Sequence, residues 1–258
     1  MKESSPIPMN CRILFMKIVA SPSLIALLVA IILAVPVVIL TITVYGGYDK
    51  KFLENMVIQL HGTVFDIIVI VAFIHFITKR GEKHLEFKRY QEEIEDFRYW
   101  TSDEATCRIA GIIRRLNKYH KFSKIDLSYC HLKDANLEKV NLQGAELYGT
   151  NLEGAILFEA NLKKTHLCCT NLKNACLENA NLQDAWIDHA VLKGVDFRGA
   201  NLQGTTILYA DFEAADKLYI YQISTASTLY GTAMDKSLLD QVKKDCPQLL
   251  QKPEWYEE

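Results

Sequence analysis

One spacing limits the folds open to this chain more than any other feature. Over residues 127–212 a leucine, or at four positions an isoleucine or phenylalanine, stands at every fifth position, eighteen times without an insertion. The residue two positions earlier is small or β-branched, most often alanine. A helix repeats its buried positions every 3.6 residues and a strand every 2, so a period of five fits neither. A heptad repeat is excluded as well, because a five-residue step leaves any one helical face within about three copies.

A solenoid accommodates this period. If each five-residue unit forms one short side and one corner, two residues point inward and three face water. The inward pair is the large apolar residue and the small one, because a narrow core has room for one of each per side. Four sides complete a coil, so residue n lies beside residue n+20 at the strand spacing of about 4.8 Å. Eighteen units then give about four and a half coils, a column roughly 20 Å tall.

The repeated unit is seen most plainly as Ala-Asn-Leu at residues 135–137, 160–162, 180–182 and 200–202. This pattern resembles the A-(D/N)-L-X-X unit of the pentapeptide-repeat family. The resemblance covers about a third of the chain and implies a mainly β fold, the right-handed quadrilateral β-helix of that family, at residues 124–214. It also implies binding or scaffolding and no particular chemistry.

Two apolar stretches precede the repeats. Residues 24–45 contain no charged side chain, and residues 56–78 form a second run; each is long enough to span a bilayer as a helix. A short connector, 46–55, joins them. A cleavable signal peptide is disfavoured, because about twenty polar and mixed residues precede the first run and no clear small-x-small site follows it. We therefore expect a transmembrane α-hairpin at residues 23–78.

The distribution of lysine and arginine predicts the orientation of this hairpin. Basic residues lie on its two outer flanks, in segment 1–22 and directly after residue 78, whereas the connector carries two lysines offset by two acids. The flanking basic residues are Lys2, Arg12, Lys17, Lys79, Arg80, Lys83, Lys88 and Arg89. By the positive-inside rule both termini are cytoplasmic. The sequence thus predicts a multi-pass inner-membrane protein, with the lipid bilayer as one partner and the solenoid on the cytoplasmic side.

Three polar residues, His61, Asp66 and His75, interrupt the second apolar run. A carboxylate near the bilayer centre costs about 2.5–3.5 kcal/mol on insertion scales, so it usually faces a partner group. One interpretation is a proton- or ion-responsive site, or a polar seam between copies. The other, which is favoured, is that Asp66 is protonated or paired within the hairpin, since two helices per chain enclose a pathway only when several chains assemble.

Residues 79–123 are expected to form two helices next to the membrane. The first, at 82–100, has a heptad stripe of four apolar residues, Phe87, Tyr90, Ile94 and Phe97. Packing on a neighbouring element is favoured over a dimer seam because only about two heptads are present. The second starts at a capping box, Thr101 with Glu104, and is expected to cover the open first coil. Its apolar face consists of Ala105, Ile109, Ile112, Ile113 and Leu116.

The repeat phase ends near residue 217, and residues 215–258 predict a helical cap over the last coil. Two short helices are expected at 218–226 and 235–246, with Asp235 as N-cap and Pro247 as the stop. The segment resembles one that often follows pentapeptide repeats.

When outward-facing residues twenty positions apart are grouped together, they fall on four sides of the coil. One side stacks asparagines at 141, 161, 181 and 201, which predicts a hydrogen-bonded ladder. A second carries mixed charges and is interpreted as a solvated surface.

A third side gathers aromatic, histidine and cysteine residues, and we name it the aromatic face. Its members are Tyr129, Tyr148, His166, Cys168, Cys169, Trp186, Asp188, His189, Leu208 and Tyr209. Tyrosine and tryptophan bring large contact area at low entropy cost, which is typical of protein-binding patches. Either a partner or the chain's own helices should cover this face. The candidate binding residues are Tyr129, Tyr148, His166, Trp186, His189 and Tyr209.

On this face the stacking rule sets Cys168 over Asp188 and Cys169 over His189. Such a group could in principle bind zinc. It lacks a recognised ligand spacing, and no Gly-rich turn or third orienting group supports a Cys-His nucleophile, so we predict no metal, cofactor or catalytic residue. The seven cysteines are odd in number and none lies twenty residues from another, so we expect reduced thiols.

Motifs for phosphate loops, nucleophile elbows, zinc proteases and dinucleotide binding are absent from the sequence, so no enzyme activity or small-molecule substrate is predicted. The favoured function is a membrane-anchored scaffold that binds a protein partner or its own copies. The alternatives are a small oligomeric channel or sensor using Asp66 and, less favoured, a DNA mimic that protects topoisomerases, as in some members of the family. Between residues 124 and 213 twelve acids stand against eight bases, and a net −4 is too weak for DNA mimicry. With an overall charge of −2, nucleic acid is not expected as a partner either.

Overall fold

The computed structural model describes residues 50–119 and 125–256. They fall into two compact units that divide between Leu85 and Glu86. The elements in chain order are α1 (Lys50–Phe97), α2 (Asp103–Tyr119), β1 (Trp186–Asp188), β2 (Thr206–Leu208), α3 (Ile220–Ile223), α4 (Lys236–Asp245) and a 3₁₀ helix (Pro247–Leu250).

The first unit contains the N-terminal part of α1. The predicted first span, 24–45, lies outside the described residues, and the predicted second span, 56–78, lies within α1. Among the residues that the structure describes, no helix is long and apolar enough to cross a membrane. The transmembrane hairpin therefore stays a prediction. One difference concerns α1 itself, which continues to Phe97 as a single helix, so the helix predicted at 82–100 is its last part.

The second unit is built on the repeats. The residue before each large apolar residue forms a parallel bridge with the residue twenty positions later, from Asp126 with Glu146 through to Asp196 with Asp216. Most sides are too short to count as strands; β1 and β2 form the one two-stranded parallel sheet assigned within residues 50–119 and 125–256. Backbone bonds join successive coils, as from the Leu127 N–H to the Glu146 carbonyl at 2.8 Å. The predicted stacking of n on n+20 is confirmed.

Both inward series are buried as predicted. Every large residue from 127 to 212 is at most 1% exposed, and every small residue from 125 to 210 is at most 4% exposed. Threonine fits the small series because its hydroxyl finds a carbonyl acceptor inside the core. The Thr150 hydroxyl, for example, donates to the Leu127 carbonyl at 2.8 Å, and that of Thr170 donates to the Leu147 carbonyl at 2.8 Å. These bonds remove the cost of burying an unpaired hydroxyl.

Each corner is a tight turn with a left-handed residue. The residue two positions after every large one has a positive φ, and the N–H one position further donates back to the large residue's carbonyl in most units. This is the geometry of a type II turn, which favours glycine at its third position. Glycine fills six of these eighteen corners, at 144, 149, 154, 194, 199 and 204. The five-residue spacing of those glycines was the sequence signal for the turn.

The end of α1 together with α2 closes the first coil. Tyr90 and Ile94 of α1 are buried in the same core as the repeats, so neighbour packing, not a dimer seam, explains that stripe. The predicted apolar face of α2 is buried throughout. Side chains of α2 also form hydrogen bonds with backbone groups at the open edge of the first coil. The Asn117 Oδ1 accepts from the Asn141 N–H at 2.6 Å, and the Thr106 hydroxyl donates to the His131 carbonyl at 2.9 Å.

The start of α2 differs from the prediction by one residue. The Ser102 hydroxyl accepts from the Ala105 N–H at 3.2 Å, so Ser102 caps this helix in place of the predicted Thr101–Glu104 box. Thr101 and Ser102 both suit an N-cap position, and the approach of the chain from the preceding turn decides between them.

The C-terminal end combines helices with one more partial coil. Here α3 crosses one side, and Thr228 then bridges Thr206, at a spacing of twenty-two in place of twenty. The solenoid thus continues beyond the predicted end at 214. Asp235 does precede α4, but its carboxylate accepts from the Ala214 N–H at 3.3 Å and does not cap its own helix. Inside this end, the buried Gln222 donates to the carbonyls of Phe197 and Ala200.

Candidate protein-binding face

The structure brings the predicted face residues onto one side of the solenoid, in three columns. The first column runs from Glu146 through His166 and Trp186 to Thr206 along the bridged positions. The second column lies two residues after the bridged positions and consists of Tyr148, Cys168, Asp188, Leu208 and Tyr230. The third consists of left-handed corners, namely Tyr129, Gly149, Cys169, His189, Tyr209 and Gly231. All six candidate residues therefore share this face, and Leu208, predicted to face outward, is fully buried.

At the N-terminal end of the face three tyrosines contact one another. The Tyr129 ring lies 5.4 Å from that of Tyr99 and 5.3 Å from that of Tyr148, measured between ring centres. Tyr129 lies directly over Gly149 of the next coil, where an added Cβ would come within 2.8 Å of the ring. A hydrogen bond with Cys169 raises the pKa of Tyr148, so its phenol stays neutral at physiological pH. Tyr99, from the turn after α1, was not predicted to belong to the face.

The centre of the face is polar. His166 Nδ1 lies 2.9 Å from a Glu146 carboxylate oxygen, and His189 Nδ1 lies 2.6 Å from Asp188 Oδ1. Burial, with the Asp188 charge as a smaller cause, raises the pKa of Cys168 to about 11, so that this thiol is protonated near neutral pH. The predicted stacking of Cys168 on Asp188 and of Cys169 on His189 is present, and the protonated thiol of Cys168 is a poor metal ligand and a poor nucleophile.

The other cysteines form no disulfide in the described part of the chain. All six cysteines in the described part of the chain are free thiols. Within that part, one group of candidate metal ligands lies close together, on another side of the solenoid: Cys176, Glu178 and Asp196. The Arg198 guanidinium already contacts both carboxylates of this group at 2.7 Å, and the pKa of Asp196 lies below its ordinary value because of its hydrogen bond from Arg198. An arginine in this position supplies the positive charge that a cation would bring.

At the C-terminal end, the chain's own tail covers the face. The Trp255 ring centre lies 5.4 Å from that of Trp186. The Tyr256 ring lies 5.9 Å from that of Tyr209 and 6.3 Å from that of Tyr230. Either a partner or the chain's own helices were expected to cover the face. Tyr99, from the segment predicted as a juxtamembrane helix, contacts the face at one end, Trp255 and Tyr256 contact it at the other, and His166 between them is exposed.

The remaining sides are held by cross-coil polar contacts. In the asparagine ladder Asn161 donates to Asn141 Oδ1 at 2.8 Å, and Asn201 donates to Asn181 Oδ1 at 3.3 Å, as predicted. The charged side has ion pairs between residues twenty apart, such as Lys133 with Glu153 at 3.4 Å and Lys193 with Glu213 at 3.1 Å.

The polar residues predicted in the second apolar run all lie in the helix α1. The side chains of Asp66 and His75 are exposed. For His61 only the helical backbone is described. Their proposed roles stay predictions.

Comparison with known proteins supports the family. The family model for pentapeptide repeats matches residues 121–158, 152–184 and 187–216, with eight copies. No curated protein matches the sequence closely enough to serve as a relative.

Several solved structures are similar to the chain. One is a pentapeptide repeat protein from the Arabidopsis thaliana thylakoid lumen, with 28% identity over 38% of this chain and 67% of that one, and a TM-score of 0.32. Another is a pentapeptide repeat protein from Nostoc, with 30% identity over 43% of this chain and 84% of that one, and a TM-score of 0.22.

A third is QnrB1, a plasmid-mediated fluoroquinolone resistance protein, with 17% identity over 46% of this chain and a TM-score of 0.30. The chain spans 62% of that protein, less than two thirds of its length. The repeat in the sequence, the four-sided coil that it forms and the family match lead to one conclusion: this chain belongs to the pentapeptide-repeat family, and its solenoid is that family's right-handed β-helix.

Proposed function

We propose that this chain is a non-enzymatic scaffold, anchored in a membrane, whose β-helix presents the aromatic face to a protein partner or to a second copy on the cytoplasmic side. The observation that carries the proposal is the exposure of large aromatic side chains on that face. Tyr129, Tyr148 and Trp186 are 45%, 43% and 37% exposed. Aromatic residues that are half exposed in a row are the usual anchors of protein interfaces.

The rigidity of the solenoid supports a presenting role. Each coil is bonded to the next through its backbone, and the Arg98 side chain, from the end of α1, pairs with Asp126 at 3.1 Å to fix the first coil. A rigid surface loses little conformational entropy on binding, so its aromatic side chains contribute more of their contact energy to affinity.

The apolar surface of α1 supports the membrane anchor. Six large apolar side chains between 69 and 77 are 44–63% exposed: Val69, Ile70, Phe73, Ile74, Phe76 and Ile77. Apolar surface of that extent normally contacts lipid or another protein. The basic residues that follow are consistent with a cytoplasmic location of the solenoid.

The two alternatives have weaker support. QnrB1 is described as a fluoroquinolone resistance protein, but a DNA mimic needs a strongly acidic rod, and here lysines such as Lys133 and Lys193 neutralise acids of the neighbouring coil. A channel or sensor would depend on Asp66. Loss of flux or gating in an Asp66→Asn variant would favour that function over the scaffold.

The scaffold is tested by crosslinking in intact membranes, followed by mass spectrometry of the captured proteins. We expect the Trp186→Ala/Tyr148→Ala variant to lose its partner or its self-association, with the far-UV circular dichroism of the solenoid unchanged. A matched control removes two exposed tyrosines elsewhere, Tyr219 and Tyr221, which stack on each other with ring centres 5.7 Å apart. Capture that persists in the face variant would rule out the aromatic face, and recovery of the wild-type chain in the soluble fraction would rule out the anchor.

A further inference from the structure

The C-terminal tail is seated on the aromatic face in a defined way. Residues 253–256 form a turn in which the Tyr256 N–H donates to the Pro253 carbonyl at 3.0 Å. This turn directs two adjacent aromatic side chains onto three aromatic residues of the solenoid: Trp255 contacts Trp186, while Tyr256 contacts both Tyr209 and Tyr230. We name the solenoid part of this contact, Trp186, Tyr209 and Tyr230, the tail site.

Solenoid residues surround Tyr209, the central ring of the tail site. Tyr209 stacks on His189 with ring centres 5.0 Å apart, and it contacts Tyr230 at 5.5 Å. Tyr209 also lies against Gly231, where an added Cβ would come within 2.5 Å of its ring. The glycine therefore makes room for the ring, which His189 and Tyr230 of the solenoid contact in addition to the tail.

The tail, in contrast, is not part of the core. Leu249 is the last buried hydrophobic residue of the described chain, whereas Trp255 is 52% exposed although it contacts Trp186. A segment of this kind can leave its site without opening the solenoid, because local opening requires little loss of buried apolar area.

We propose that the tail site is a binding site for a short protein segment that carries two adjacent aromatic side chains in a turn, and that the tail is its intramolecular competitor. The site thus has two states, occupied by Trp255 and Tyr256 or open to a partner segment. This inference rests on the proposed function in one respect, since it names the class of partner that the same face takes.

The competition sets a limit on the affinity. A tail on a short linker has an effective concentration on the order of 1 mM at its own site. The tail stays mostly seated only if its intrinsic dissociation constant lies below that concentration. A separate peptide with the same residues should therefore bind the vacated site with a Kd below about 1 mM.

The test uses the full-length chain with a vacated site, Trp255→Ala/Tyr256→Ala, and a fluorescein-labelled peptide of residues 250–258. Fluorescence anisotropy should show saturable binding to this variant and more than about twofold weaker apparent binding to the wild-type chain, whose own tail competes at an effective concentration above its Kd. Adding Trp186→Ala to the vacated variant should weaken binding about tenfold, as for loss of an aromatic anchor. Adding Tyr221→Ala, which removes an exposed tyrosine outside the aromatic face, should change binding less than about twofold.

A peptide with alanine at 255 and 256 is a control that does not depend on the folding of any variant, and it should not bind. The inference is overturned if the natural peptide does not saturate the vacated variant, if the two peptides bind alike, or if wild type binds as well as the vacated chain. None of these measurements needs a membrane partner. Peptide binding can therefore fail while partner capture in membranes succeeds, and the reverse outcome would remove the proposed function alone.

Discussion

Replacing Gly149 with alanine tests how the aromatic face is built into the solenoid. Gly149 occupies a left-handed corner with φ +63°, and an alanine Cβ would come within 2.8 Å of two atoms of the Tyr129 ring in the preceding coil. Gly144, one unit earlier, has nearly the same backbone conformation at φ +70°, yet a Cβ there would meet nothing within 4 Å. The two positions separate the cost of the left-handed conformation from the cost of displacing the ring.

The two costs can be estimated from the structure. An alanine in the left-handed region is strained, which destabilises the folded state. Alanine also lowers the conformational entropy of the unfolded chain, which partly offsets that strain, so Gly144→Ala should lose about 1 kcal/mol of unfolding free energy. Gly149→Ala has the same cost and also moves Tyr129 out of its contacts with Tyr99 and Tyr148. Each aromatic contact contributes about 0.5–1.5 kcal/mol, and the ring is half exposed, so we expect about 1–2 kcal/mol more.

The assay is urea unfolding of both variants in the same buffer, followed by far-UV circular dichroism. A double-mutant cycle isolates the contact: in a Tyr129→Ala background, Gly149→Ala should cost no more than Gly144→Ala does. Equal midpoints for the two single variants would refute the packing argument. So would a Gly149→Ala penalty that survives removal of the Tyr129 ring, since backbone strain would then explain the whole effect.

Two further predictions concern the core and the first coil. Leu172→Asp should unfold the solenoid, with a loss of at least about 4 kcal/mol of unfolding free energy, because it places a carboxylate in a core without water. Lys173→Asp, at the exposed next position, should change the unfolding free energy by no more than about 0.5 kcal/mol, which thermal melts of the two variants would show. The second prediction concerns pH. Burial favours a higher pKa for Asp126, but hydrogen bonds from Ser128 and Arg98 and the Arg98 charge outweigh it, so that the pKa lies below its ordinary value. The carboxylate therefore stabilises the first coil above about pH 4 and loses that effect as pH falls through the lower folded-state pKa. Asp126→Asn should be less stable than wild type at pH 7, and the gap in urea midpoint should close toward pH 3; a gap independent of pH would contradict this assignment.

The tail determines which residues of the aromatic face a partner can reach. The tail contacts two of the six predicted binding residues, Trp186 and Tyr209, so capture of a partner at these two residues requires release of Trp255 and Tyr256. The open part, with Tyr148 and His166, is accessible without that step. Variants of Tyr148 and Trp186 should therefore differ in how partner binding depends on the tail.

Much of the fold follows from the sequence because a solenoid is a local structure. A five-residue period without an insertion leaves one arrangement in which Leu127, Leu132 and their successors are all buried, and each coil contacts only its neighbours. The helix α2 was predictable for a similar reason, since its apolar spacing acts within a few positions. The asparagine ladder followed directly from the twenty-residue stacking.

The contacts that complete the site depend on residues far apart in the chain. No pattern in the sequence connects Trp255 with Trp186, or Tyr99 with Tyr129, because aromatic side chains make favourable contacts with many partners and only the path of the backbone brings a given pair together. The same holds for the two-residue shift at Thr228, where α3 replaces one side, and for the choice of Ser102 over Thr101 as N-cap. The sequence by itself thus determined the coil and its core, whose energetics repeat from unit to unit. Only the tertiary structure decided which segments close the coil and which one covers its aromatic face, because those contacts are made once and depend on where the flanking backbone leads.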